Sequence, residues 1–149
     1  MSITKEDYLK QLEIELHKPV KKKFRRRKVC VPHLDHTWSA DLVDVKSLSR
    51  QNRGLKYILN IIDVWSRYAW SVPLKTKTAI EVTSAFAGVF KTSGRIPKFL
   101  WVDQGKEFYN SPLTALLAEH DTKRYSTFGE GKAVMVERLN RTLKEKMWK

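Results

Sequence analysis

The order of strand-like and helix-like patterns from residue 37 onward limits the possible folds more than any other feature of this sequence. Residues 37–45 alternate between apolar and polar positions, residues 57–64 form a nearly continuous apolar run, and residues 68–74 form a third strand-like segment. Beyond them we predict a helix over 79–91, a strand over 98–103, a helix over 111–120, a strand over 122–126 and a helix from 133 onward. This order predicts an α/β fold whose mixed five-stranded sheet, with three antiparallel strands first, is flanked by helices.

The first 36 residues have a different composition from the predicted core, which spans residues 37–149. Residues 1–17 are predicted to form a short amphipathic helix, and residues 18–36 a basic linker. Eight of the 29 basic residues and no acidic ones lie between Lys18 and Lys28. The densest part is predicted to bind DNA through Lys21, Lys22, Lys23, Arg25, Arg26, Arg27 and Lys28. A solvated linker and a nuclear-import signal remain alternatives for this segment.

The overall composition indicates a folded protein with a polyanionic partner. The formal net charge is +13, and the chain stays basic when the dense segment is set aside. Such a charge suits nucleic acid or an anionic membrane surface. No apolar run approaches the roughly 20 residues of a membrane-spanning helix, so we expect no membrane insertion. Cys30 is the single cysteine, which excludes a disulfide within the chain.

Three carboxylates stand where predicted elements begin or end. Asp41 lies within the first strand, Asp103 closes the fourth, and Glu137 is about one turn into the last helix. In an open mixed sheet the first and fourth strands are commonly neighbours, and the following helix can lean across their ends. Three carboxylates at close range need a compensating charge, which divalent cations such as Mg²⁺ supply to hard oxygen ligands. Two such ions support in-line displacement at a phosphodiester without a protein nucleophile.

Other acids compete for this role. Asp44 is three positions from Asp41, so we expect it to face the opposite side of the strand and to be solvated. Asp63 precedes a tight turn and is expected to accept backbone N–H groups of Ser66 or Arg67. Glu107 is expected to cap a turn or helix, with a supporting role beside Asp103 as the alternative. Three tryptophans of the strand region, Trp65, Trp70 and Trp101, are expected in the core rather than as base-stacking platforms.

Several segments in order resemble a known family. They are Glu15–Pro19, Trp38–Asp44, Tyr57–Trp70, Asp103–Asn110 and Val136–Lys144. The chain resembles retroviral-type integrases of the ribonuclease-H-like superfamily, most closely those of Maverick/Polinton DNA transposons. The resemblance covers nearly the whole chain beyond residue 15.

The resemblance implies a function and a set of site residues. Asp41, Asp103 and Glu137 are then the catalytic acids and the ligands of two Mg²⁺ or Mn²⁺ ions. The implied reactions are trimming of the 3′ ends of a mobile element and transfer of those ends to target DNA, in the nucleus, by a homo-oligomer of the full-length enzyme. Glu137, Arg141 and Lys144 share a helix face. With Asn140 alongside, Arg141 and Lys144 are predicted to contact the DNA end.

The chain also departs from the family pattern. Gln104 follows Asp103 where retroviral enzymes usually carry Asn. The zinc-binding and C-terminal DNA-binding domains of full-length integrases are not found, and the last helix has no stop signal, so we expect a core truncated at its C-terminus. The alternative function is therefore a truncated or domesticated integrase relic that serves only as a basic DNA-binding module.

Overall fold

A computed structural model describes residues 29–126 and 134–147 of this chain, together with residues 6, 9 and 10. Residues 6, 9 and 10 are helical, in the segment where the N-terminal helix is predicted. The rest of that helix and the predicted DNA-binding segment Lys21–Lys28 lie outside the described residues, so both stay predictions.

Five strands and three α-helices form the described core. The strands are β1 (Thr37–Asp44), β2 (Tyr57–Asp63), β3 (Ala69–Leu74), β4 (Phe99–Trp101) and β5 (Lys123–Tyr125). The helices are α1 (Ala79–Ser93), α2 (Ser111–Glu119) and α3 (Val134–Met147), and a 3₁₀ turn over Lys46–Leu48 follows β1. No helix in the described ranges has the length and apolar character needed to cross a bilayer.

The strands form one mixed sheet in the order β3-β2-β1-β4-β5. β1 pairs antiparallel with β2 and β2 with β3, whereas β4 runs parallel to both β1 and β5. Short turns suffice for the antiparallel strands, while the parallel ones need the helical crossovers α1 and α2. The predicted mixed five-stranded sheet flanked by helices is confirmed.

Alternation along the central strands gives the sheet two buried faces. Trp38 and Ala40 on β1 point with Leu59 and Ile61 on β2 into a core that also contains Phe86 of α1 and Leu113 of α2. Residues between these positions face the other side, where α3 contacts β1 and β2. The functional residues of β1 and β2 therefore lie under α3.

One of the three tryptophan predictions is wrong. Trp65 is 54% exposed, because it lies in the tight turn between β2 and β3 rather than on a strand. Trp101 is buried, and Trp70 packs on the core with its ring 4.4 Å from that of Trp38. A turn side chain has no sheet face to point into, which accounts for the difference.

Candidate active site

The parallel pairing of β1 with β4 brings Asp41 and Asp103 to the same end of the sheet. Ser39 is the register partner of Trp101, and each aspartate lies two residues further along its chain. Asp41 is half-buried on β1 and Asp103 is exposed just after β4. The backbone N–H of Gly105 donates to Asp103 Oδ1 at 3.0 Å, which holds that carboxylate against the loop after β4.

Helix α3 lies over Asp41 and brings Glu137 to the same region. Asn140 Nδ2 donates to Asp41 Oδ2 at 2.6 Å, across 99 residues of sequence. Glu137 is three residues before Asn140, so it projects from the same side of α3 about one turn away, and it is exposed. The other oxygen of Asp41 accepts the backbone N–H of Leu42 at 2.9 Å.

Asp41 lies close enough to Asp103 and Glu137 to be affected by the charge of both. Burial raises the pKa of Asp41, and the negative charges of Asp103 and Glu137 raise it further, against hydrogen bonds from Leu42 and Asn140 that lower it. None of the three acids forms an ion pair within the described ranges. The result is a concentration of uncompensated negative charge on hard oxygen atoms.

This donor set fits divalent cations, although the side chains are not gathered around one point. Across residues 29–126 and 134–147, no three His, Cys, Asp or Glu side chains are close enough together to form a ready-made metal site. Asp41, Asp103 and Glu137 are nonetheless the residues that could hold such ions, because charge compensation would draw mutually repelling carboxylates inward. Hard carboxylate ligands favour Mg²⁺ or Mn²⁺ over softer metals.

Glu107 lies closer to this site than its predicted capping role implied. A Cβ atom added to Gly105 would come 2.6 Å from the Glu107 carboxylate and 3.0 Å from Asp103 Oδ1. The two carboxylates therefore approach each other across a residue that has no side chain. The spacing of Asp103, Gly105 and Glu107 in the sequence is the signal that could have indicated this proximity.

The sequence pattern did not indicate that Asn60 is a buried polar residue beside Asp41. Asn60 of β2 is fully buried and is the register partner of Asp41, and its Nδ2 donates to Asn140 Oδ1 at 2.6 Å. Ser71 of β3 donates to Asn60 Oδ1 at 2.6 Å. One signal was available: Asn60 interrupts the apolar run of residues 57–64, and a buried amide requires partners.

The predicted DNA-contacting residues of α3 have different environments. Arg141 and Lys144 are exposed, as a phosphate contact requires. Asn140 is only 9% exposed, and both ends of its amide are bound by protein. The direct DNA contacts of Asn140, Arg141 and Lys144 stay predictions.

The competing aspartates lie away from this site. Asp44 is exposed, faces away from Asp41 as predicted, and pairs with Lys46 at 3.1 Å. Asp63 is fully buried and accepts the backbone N–H of Ser66 at 3.1 Å, as predicted. Asp63 also pairs with Arg95 at 3.0 Å, a contact that no local pattern indicated.

The fold and the positions of the acids define the class of protein. A mixed five-stranded sheet of order β3-β2-β1-β4-β5, with a helix that covers β1 and β2, is the ribonuclease-H-like fold. Two solved structures share this fold. The HTLV-2 integrase catalytic core domain in complex with magnesium matches with a TM-score of 0.61 at 21% identity, over 74% of this chain and 68% of that one. A simian T-cell lymphotropic virus intasome in complex with a PP2A regulatory subunit matches with a TM-score of 0.65 at 19% identity, over 74% of this chain and 39% of that one.

The sequence then specifies the family. The integrase core domain model matches residues 32–127, and the chain belongs to this family. A transposon-derived protein of Caenorhabditis elegans is 41% identical over 100 residues, which are 67% of this chain and 35% of the relative. The Gag-Pol polyprotein of Koala retrovirus is 32% identical over 114 residues, 75% of this chain and 7% of the polyprotein. The chain thus spans about a third or less of the length of these relatives.

Proposed function

We propose that this chain is the catalytic core of a mobile-element integrase, which trims the 3′ ends of the element's DNA and transfers them to target DNA. The observation that carries the proposal is the meeting of Asp41, Asp103 and the Glu137-bearing helix at one end of the sheet, with Asn140 2.6 Å from Asp41. The electrostatic coupling of Asp41 to both other acids supports it. Membership of the integrase core family supports the class of reaction.

The proposed roles follow the family resemblance. Asp41 would contribute to both of two Mg²⁺ or Mn²⁺ sites, and Asp103 and Glu137 would contribute to one each, as the resemblance implies. The chemistry that such a pair of ions supplies is activation of the attacking oxygen and stabilisation of the leaving oxygen in an in-line displacement. Arg141 and Lys144 contact DNA phosphates and so position the strand without reading its sequence. Asn140 keeps the Asp41 carboxylate oriented toward the site.

A Mn²⁺-dependent disintegration assay, in which a branched DNA is resolved into separate duplexes, tests this proposal on the 149-residue chain. We expect product from the wild type. Because Asp103→Asn removes a direct ligand, it should lower the rate by more than the roughly 100-fold that loss of an outer-shell partner can cost. Asp44→Asn is the matched control and should retain activity, because Asp44 is exposed and faces away from Asp41.

Two outcomes would contradict the proposal. If the wild type gives no product while still binding DNA, the chain is instead a truncated or domesticated relic that acts as a DNA-binding module. If Asp103→Asn and Asp44→Asn retain equal activity, the three acids are not the catalytic centre.

The finer assignments belong to the same proposal. Within the family, the segments Trp38–Asp44 and Tyr57–Trp70 support an origin in a Maverick/Polinton DNA transposon. The basic segment Lys21–Lys28 supports DNA binding and nuclear import. We propose that the full-length enzyme works as a homo-oligomer on element and target DNA. A fluorescent fusion of residues 18–36 that stayed outside the nucleus would count against the import role.

A further inference from the structure

Four polar side chains form a continuous row across the α3-facing side of the sheet. Ser71, Asn60 and Asp41 are register neighbours on β3, β2 and β1, and Asn140 of α3 lies over the last two. The hydrogen bonds are Ser71 Oγ to Asn60 Oδ1, Asn60 Nδ2 to Asn140 Oδ1 and Asn140 Nδ2 to Asp41 Oδ2, each 2.6 Å long. The row thus connects an exposed edge strand with the half-buried carboxylate of Asp41.

The chemistry of each group determines which partner donates and which accepts in each hydrogen bond of this row. An ionised carboxylate only accepts hydrogen bonds, so Asn140 must turn its NH₂ group toward Asp41 and its carbonyl oxygen toward Asn60. Asn60 must then present its own NH₂ group to Asn140, which leaves its oxygen for the Ser71 hydroxyl. Because Asn60 is fully buried and Asn140 is only 9% exposed, water is not an easy substitute in the hydrogen bond between them. The orientation of the Asn140 amide therefore depends on Asn60.

We propose that Asn60 is a positioning residue for the acid site, which it serves by holding the Asn140 amide in the orientation that donates to Asp41. The part of this inference that concerns metal binding rests on the proposed function. In this row, Asn60 makes no hydrogen bond to any of the three acids. It acts on Asp41 through Asn140. Outer-shell groups of this kind orient metal ligands, and their loss typically lowers metal affinity about 10–100-fold.

Asn60→Leu tests the proposal, because leucine has a similar size but can neither donate nor accept. We expect the Asn140 side-chain NH₂ signals in a ¹⁵N–¹H spectrum to move, and the affinity for Mn²⁺ measured by calorimetry to fall at least about tenfold. Should Asn60→Leu fail to fold, Asn60→Val, whose β-branched side chain favours a strand, makes the same test.

Two controls separate positioning from general loss of stability. Thr122→Val removes another buried hydrogen bond, to Pro97 O at 2.7 Å, at the far end of the sheet. It should lower thermal stability yet leave Mn²⁺ affinity within about twofold of wild type. Ser71→Ala should also stay within about twofold, because Ser71 is exposed and water can donate to Asn60 in its place.

The outcomes distinguish this inference from the proposed function. Unmoved Asn140 signals in folded Asn60→Leu would overturn the inference, and so would an equal loss of Mn²⁺ affinity in Thr122→Val. If the wild type binds no Mn²⁺, the proposed function loses its support, and the Asn140 signals alone decide whether Asn60 positions the amide.

Discussion

Asp41 is held in an environment that opposes its own ionisation. Its pKa is raised by burial first and then by the charges of Asp103 and Glu137. Because this pKa is raised from 3.8, the carboxyl group of Asp41 binds its proton more tightly in the folded protein than in the unfolded chain. The difference matters at pH values above 3.8. Folding stability is therefore lost as the pH rises through that window. Without a divalent cation, the acid site costs stability at neutral pH.

Asp103→Asn is expected to recover part of that stability. It removes one of the two charges that raise the pKa of Asp41, so the free energy of unfolding at pH 7 should increase by about 0.5 kcal/mol. The gain should shrink as the pH falls toward the ordinary value of 3.8, because the folded protein then takes up a proton at Asp41 and the repulsion is lost. Urea unfolding of both proteins at pH 4 and pH 7, in the presence of a chelator, measures the difference.

Asp44→Asn is the control of opposite sign. The backbone N–H of Lys46 and its ammonium group lower the pKa of Asp44, so ionised Asp44 adds stability above pH 3.8 that is lost as the pH falls. Removing Asp44 should slightly lower stability at pH 7. A finding that Asp103→Asn also loses stability at pH 7 would contradict the electrostatic account of the site.

At the scale of elements, the glycine just after α1 stabilises the end of the helix, whereas the glycine inside α1 does not stabilise it. Gly94 follows the helix with φ of 63°, and its N–H donates to Phe90 O, which closes the last turn in the left-handed region. Gly88 lies inside the helix on the exposed side, and a Cβ atom there would meet nothing within 4 Å.

The two alanine substitutions should therefore have opposite effects. Gly88→Ala should raise the free energy of unfolding by roughly 0.5–1 kcal/mol, because alanine loses less backbone freedom on folding. Gly94→Ala should lower it by about 1 kcal/mol, because a Cβ atom is strained at positive φ. Thermal unfolding of the two variants side by side checks both signs, and two changes in the same direction would refute the assignment.

Sequence pattern located the elements because each helix buries one side on the sheet, and the continuous apolar run of β2 reflects a strand that is buried on both faces. The predicted strand over 57–64 and helix over 79–91 agree with β2 and α1 to within two residues. Local capping was less predictable. Thr78 precedes α1, and threonine is a residue type that often caps a helix. Its hydroxyl nevertheless contacts Thr76 and makes no cap bond, while Glu81 accepts the backbone N–H of Lys75 at 2.7 Å.

The parts of the candidate site that depend on strand order could be predicted from the sequence. The parts that depend on side-chain packing could not. Asp41 and Asp103 meet because strands β1 and β4 are parallel neighbours, which the element order indicates. The inward hydrogen bonds of Asn140 to Asp41 and Asn60 could not be predicted, because they depend on the rotation of α3 that buries Val136, one turn earlier on the same side. The Arg95–Asp63 pair spans 32 residues and depends on a shape that no local pattern encodes.

At the scale of the whole molecule, two distributions of charge oppose each other. The acid site concentrates negative charge where the proposed function requires a DNA strand, and a polyanion is repelled by such a surface. The net charge of +13 means that attraction must come from cations elsewhere in the chain. Arg141 and Lys144 lie beside the acids on α3, and the largest concentration of cations in the sequence is the segment Lys21–Lys28.

If that segment binds phosphates, the salt dependence of DNA binding should report it. Each phosphate contact contributes a slope of about −0.9 in log affinity against log salt concentration, so loss of the eight cations of residues 18–28, seven of them in the segment, should flatten the slope by up to about 7. Two truncations make a matched pair: removal of residues 1–17 keeps the segment, whereas removal of residues 1–28 deletes it. Binding of both to one duplex, measured between 50 and 300 mM salt, should give a wild-type slope only for the first. Equal slopes would show that the segment does not contact DNA, and attraction would then have to come from cations of the core such as Arg141 and Lys144.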